Sequence, residues 1–121
     1  MPETQIEELR KAIIDVAVEA WRFRNVFDKA MSKLDSSEGS KYYSQFNWFY
    51  RKVELSLQMA GMRTVDVTGQ LYDIGMAVTP LNLDDFPADE ILYIEQMVEP
   101  IILDDHGIVR TGTVMLGRQG T

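Results

Sequence analysis

The chain has 121 residues, 45% of them apolar and 26% charged, the balance of one folded domain or two small ones. Twelve basic residues against 19 acidic ones leave a net charge of -7, which opposes binding to a phosphate backbone. No cysteine and only one histidine are present, which excludes disulfide scaffolds, thiolate zinc sites and cysteine nucleophiles, and argues against His-based metal sites and catalytic triads.

The amino terminus, Met1-Pro2-Glu3-Thr4, is polar and acidic, unlike a signal peptide. No apolar run approaches the ~20 residues that span a bilayer. The expectation is a cytoplasmic protein with neither nucleic acid nor membrane as a partner.

Charge divides the chain. Residues 1–63 carry ten basic and nine acidic side chains, whereas residues 64–109 carry ten acidic ones and no Lys or Arg. Only Arg110 and Arg118 follow. Composition changes at the same place, from Ala, Lys, Arg, Met and aromatics to Val, Ile, Thr, Gly and Pro. The fold class expected is α+β, with a helical hairpin over 1–62 and a small all-β head over 63–121.

The first helix is predicted from about Pro2 to Leu34. Ile6, Leu9, Ile13, Val16, Ala20, Phe23, Phe27, Ala30 and Leu34 follow one another in alternating steps of three and four. That is a heptad seam, which keeps one stripe facing a partner helix. Ile14, Ala17, Val18 and Trp21 form a second apolar flank, as expected in a bundle rather than a free coiled coil. Asp35-Ser36-Ser37-Glu38-Gly39-Ser40 suits a turn between helices.

The second helix is predicted from Ser40, as its cap, to about Ala60, with Gly61 at the C-terminal stop. Tyr43, Phe46, Tyr50, Val53, Leu57 and Ala60 form its seam, with Tyr42 and Phe49 beside it. Trp48, Leu55 and Met59 share the opposite side, either as scattered surface apolars or as a second contact surface.

One hairpin cannot bury seams of this length. Two hairpins paired as a four-helix bundle can, which predicts a homodimer. Ile13, Val16, Phe23 and Phe27 of the first helix and Phe46 and Val53 of the second are its expected interface.

About six short strands are predicted in the second half. Met76 to Asn82 is one, and Ile91 to Leu103 is a region bent at Pro100. Asp104-Asp105-His106-Gly107 is a turn with glycine where a positive φ is expected, and Ile108 to Leu116 returns as a strand with Gly112 as a bulge.

The pairs Asp84/Asp85, Asp89/Glu90 and Asp104/Asp105 read as solvated turn residues, against an alternative role as acid–base or hard-metal groups. No phosphate loop, nucleophile elbow or His-Glu metal pair is present, so neither enzyme activity nor a cofactor is expected. Arg110, alone on an acidic half, is either an internal partner of Asp104, Glu95 or Glu99 or a contact to a binding partner.

Three segments carry a family pattern. Val26-Phe27-Asp28-Lys29-Ala30-Met31 closes the first helix; Leu57 through Gly61-Met62 is followed by Val65, Gly69 and Tyr72-Asp73; and Val98 to Leu116 contains Ile108-Val109-Arg110. With the order heptad helix, hairpin and β head, they resemble GrpE, the nucleotide exchange factor of DnaK-type chaperones. The corresponding family segments read apolar-Leu-Asp-Arg-Ala-Leu, then Gly-apolar…Gly…Phe-Asp-Pro, then apolar-apolar-Arg. Here Ile74 replaces the Pro after Tyr72-Asp73, Pro100-Ile101-Ile102 replaces a polar-Gly-Tyr run, and Thr111-Gly112 replaces Pro-Ala.

The resemblance implies a dimeric co-chaperone whose β head binds the ATPase domain of a DnaK-type chaperone and promotes ADP release. It implies Arg110, Val98 and Met97 as partner contacts, Met97 being equally readable as a core residue. The alternative is a dimeric scaffold of the same fold without exchange activity, kept open by the altered head segments.

Overall fold

In the computed structural model, which describes residues 2–118, two helices precede six short strands, an α+β order. Helix α1 spans Glu3–Met31 and helix α2 spans Ser36–Met59. The chain separates into two units, one ending at Arg63 and the other starting at Thr64. No helix among the described residues is long and apolar enough to cross a membrane.

Helix α1 begins after Pro2, whose extended backbone and missing N–H suit a helix start, and Glu3 complements the positive helix end. It stops before Leu34, the end expected from the seam. The Ser32 amide still donates to the Asp28 carbonyl, while the Ser32 hydroxyl caps the carbonyl of Lys29 at 2.7 Å.

The expected cap at Ser40 is corrected to Asp35. Its Oδ1 accepts from the amide of Glu38 and from the Ser37 hydroxyl, both at 2.9 Å. Asp35 followed three residues later by Glu38 is the spacing of a helix N-terminus, so the serine-rich stretch read as a linker becomes the first turn of α2.

The other end of α2 is as expected. Gly61 adopts φ +79, its amide bonds to Gln58, and the Met62 amide reaches back to Leu57 at 3.1 Å. This double closure satisfies the last carbonyls and needs a residue without Cβ at the left-handed position.

The strands are β1 (Arg63–Val65), whose first residue closes the first unit, and β2 (Val78–Pro80), β3 (Leu92–Glu99), β4 (Ile101–Asp104), β5 (Gly107–Arg110) and β6 (Gly112–Arg118) of the second. They form two three-stranded sheets, ordered β1-β4-β5 and β2-β6-β3. The single strand expected over Ile108 to Leu116 is therefore two strands in different sheets, parted at Thr111.

Pro100 divides β3 from β4 in the same way. The two breaks stand opposite each other, since Glu99 pairs with Thr113 and Ile102 with Arg110. Both strands of the ribbon thus change sheet together. Gly112 is not a bulge but a close approach: a Cβ there would lie 2.8 Å from Met97 Cε and 3.0 Å from the Glu99 carbonyl.

Alternation builds the core of this unit. Leu92 and Ile94 point inward, a register shift between Ile94 and Gln96 resets the phase, and Met97 then turns inward. Val114 and Leu116 of β6 meet them, and Ile101 and Ile102 of β4 are buried as well. Residues 69–72 run along β3, with the Gly69 amide donating to Ile94 and the Tyr72 amide to Leu92, each at 2.8 Å. The Asn82 side chain holds β6 by donating to the Leu116 carbonyl and accepting from its amide.

The Asp35 carboxyl is held below its ordinary value of 3.8, first by the Glu38 amide and next by the Ser37 hydroxyl. A lowered native pKa adds stability above the ordinary value, which is lost as pH falls through the native one. Asp35→Ala should therefore melt below wild type at pH 7, with the gap narrowing in acid below 3.8. A gap that does not change with pH would show that the carboxylate charge plays no part.

Candidate functional site

The hairpin is zipped by rings. Phe27 stacks on Phe46 with centroids 4.6 Å apart and planes at 16°. Phe46 also meets Phe23 and Tyr50, each at 5.9 Å, and Tyr43 stands edge-on to Phe27 at 5.5 Å. Arg24 lies 3.9 Å over the Trp21 ring and 4.9 Å from that of Tyr50. Each aromatic pair contributes ~0.5–1.5 kcal/mol beyond what burial of its area supplies. The Tyr43 hydroxyl donates to Asp28 at 3.1 Å. Desolvation, then that hydrogen bond, pushes the phenol pKa up.

These contacts run antiparallel and leave one side of the hairpin open. Leu9, Ile13 and Val16 of α1 and Phe49 and Val53 of α2, with Lys52 at its margin, line a groove of about 340 Å³. A second hollow of about 650 Å³ continues it past Ala20 and Phe23, with Asp15 and Glu19 on its edge. Leu9, Val16, Phe23 and Phe49 each keep about half their surface in water.

The expected interface residues fall into two places. Ile13, Val16, Phe23 and Val53 lie on the open face. Phe27 and Phe46 belong to the interior ring stack, and Phe46 is 7% exposed. Burial in α1 falls on Ala17, Val18, Ala20 and Trp21, so it follows the second flank more than the heptad seam. Phe49, placed only beside the seam of α2 by its spacing, is central to the groove because it serves both hollows.

On the β unit, Arg110 ends β5 and its Nη2 lies 3.3 Å from Glu99 Oε1. The Thr113 hydroxyl donates to the same oxygen at 3.2 Å. Of the internal partners weighed from the sequence, Glu99 is the one realised. Its side chain is only 15% exposed, so the guanidinium neutralises a largely desolvated carboxylate.

Val98 is half-buried. Met97 is 2% exposed and its sulfur accepts from the Val67 amide at 3.2 Å, so it is a packing residue with no surface for a partner. Arg118 is also engaged, with Glu90 at 2.6 Å and the Phe86 ring at 5.2 Å.

The acidic pairs stay apart from one another. Asp84 and Asp85 lie in a single 3₁₀ turn, and Asp104 caps the His106 amide at 2.8 Å. Among the described residues no three His, Asp or Glu side chains converge as metal ligands would. Comparison of the chain with known protein families, with curated proteins and with solved structures gives no match.

Removing one side of the Arg110–Glu99 pair leaves the other charge poorly solvated. Arg110→Ala and Glu99→Ala should each destabilise the β unit by about 1–2 kcal/mol in denaturant titrations. The double variant should cost less than the sum of the two. Strict additivity would remove the pair as a source of stability.

Proposed function

We propose that the chain acts as a two-fold dimer whose hairpins pair through the open face, and whose β unit binds the ATPase domain of a DnaK-type chaperone in the manner of a GrpE-like exchange factor. The observation that carries this reading is the exposed seam. Leu9, Val16, Phe23 and Phe49 form a continuous apolar stripe that a single hairpin does not cover. Apolar area left in water costs ~25 cal/mol per Å², and a second copy offers the same stripe in return.

The element order adds support. The segments resembling the family form the end of α1, the stop of α2, the residues along β3 and the ribbon from Val98 to Leu116. On the proposed partner surface Arg110 and Val98 remain, while Met97 supports them from within.

The action requires no bond chemistry. A factor that binds the open nucleotide cleft more tightly than the closed one lowers ADP affinity, and ADP weakens its binding by the same factor. The scaffold reading has one observation in its favour: Arg110 is already paired with Glu99 and Met97 is buried, so two of the three expected contacts are used internally.

Sedimentation of the wild type at micromolar concentration should give a dimer, and Val16→Asp should dissociate it, since a carboxylate in a dry seam is unpaired. A stable wild-type monomer would refute the pairing. Release of a fluorescent ADP analogue from a DnaK-type chaperone should accelerate on adding the protein. Tight binding to the chaperone with an unchanged ADP off-rate would leave the scaffold reading in its place.

A further inference from the structure

The outward side of α2 carries a different surface. Trp48, Leu55 and Met59 lie within about 40° of one another, and about 180° from Phe46 and Tyr50, at ~100° per residue. They are 64%, 46% and 89% exposed. Lys41, Arg51 and Lys52 share this side, within about 60° of its centre, and all three are exposed, Lys52 standing where this face borders the groove. The carboxylates of α2, Glu38 and Glu54, lie about 80° and 120° away from that centre.

None of the three cations is paired with an acid among the described residues. The Lys52 ammonium instead lies 5.0 Å from the centre of the Trp48 ring. On a chain of net charge -7, this is a cationic, aromatic patch against the overall sign.

We propose that this face docks an acidic amphipathic helix of a partner protein. Trp48, Lys52, Leu55 and Met59 follow in steps of four, three and four, the seam that a second helix fits. The partner's apolar residues pack on Trp48, Leu55 and Met59, and carboxylates beside them reach Lys41, Arg51 and Lys52. Exposed Trp and Arg side chains are frequent anchors of protein interfaces.

Charge selects this occupant. A second copy of the same face would set like cations against each other across a two-fold axis. A helix lying in an anionic bilayer keeps its cations on a polar face apart from the apolar one, whereas Lys41 and Lys52 stand within about 40° of the centre of this apolar stripe. The inference does not depend on exchange activity.

The test uses a peptide of about three heptads with Leu at a and d and Glu at e and g, the glutamates keeping it from pairing with itself. It contains no tryptophan. Trp21 is 3% exposed and Trp48 64%, so emission and acrylamide quenching report on Trp48. Binding should shift the emission to the blue, saturate, and protect against quenching.

Leu55→Glu, and Arg51→Glu with Lys52→Glu, should each weaken binding about tenfold or more. The charge-reversed protein should prefer the same peptide with Lys at e and g. Circular dichroism checks that these exposed substitutions leave helix content unchanged. No saturable change with the Glu peptide, or equal affinity for the Lys peptide, overturns the proposal. So does binding to phosphatidylserine vesicles lost in the same variants, which assigns the face to lipid. Loss of self-association in Leu55→Glu also overturns it and assigns the face to a second copy.

Discussion

Phe46 stacked on Phe27 sets which residues of the two helices stand level, and much of the helical unit follows from that one contact. With the rings locked, Tyr43 reaches Asp28, Tyr50 reaches Arg24, and Val16 comes beside Phe49 and Val53. Two helices can cover only the surfaces they turn toward each other. The chain has more apolar stripe than that, so much of the heptad seam stays open, Ala20 and Phe27 apart, while Ala17, Val18 and Trp21 of the second flank are buried. The outward face with Trp48 is a third surface, richer in cations than the seam, which it meets at Lys52. One hairpin thus presents a mostly apolar groove, edged by Asp15, Glu19 and Lys52, and a ridge whose exposed apolar residues stand among cations.

The β unit depends on a different constraint, the passage of a two-stranded ribbon from one sheet to the next. Pro100 ends one strand because it has no amide to offer. Gly112 starts the other because no side chain fits between Met97 and the Glu99 backbone. Arg110 and Glu99 flank the same crossing. The residue that looked free in the sequence is therefore tied to the point where the sheets part, which links any partner contact at Arg110 to the stability of the unit.

How much was legible follows from the range of the signals. Seam periodicity is local, so the existence of both helices and the stop at Gly61 were readable. The start of α2 was misplaced because six polar residues, Asp35 to Ser40, read as a linker until Asp35 and Glu38 are seen as cap and third residue. The bend at Pro100 was visible from proline chemistry. The break at Thr111 was not, because nothing local distinguishes a strand that changes partners from one that continues. Arg110 was visible as an isolated charge, and its nearest candidates were named, but choosing Glu99 needed the pairing register. The open face was implied by the seam, whereas Phe27 and Phe46 went to the interior because periodicity does not say which neighbour a stripe will meet.

The place of β6 has a consequence for the order in which the chain takes shape. Among the described residues it is the last strand and the middle strand of its sheet, parallel to β2 and antiparallel to β3. Until residues 112–118 have left the ribosome, that sheet has no centre and β2 has no ladder partner. The hairpin closes through a turn of four residues between Met31 and Ser36 and can form as soon as α2 is made. During synthesis the helical unit therefore completes first, with its seam exposed, while the acidic segment behind it is still without structure. The seam is thus the first large apolar surface the chain shows, and it is in water before the sheets exist.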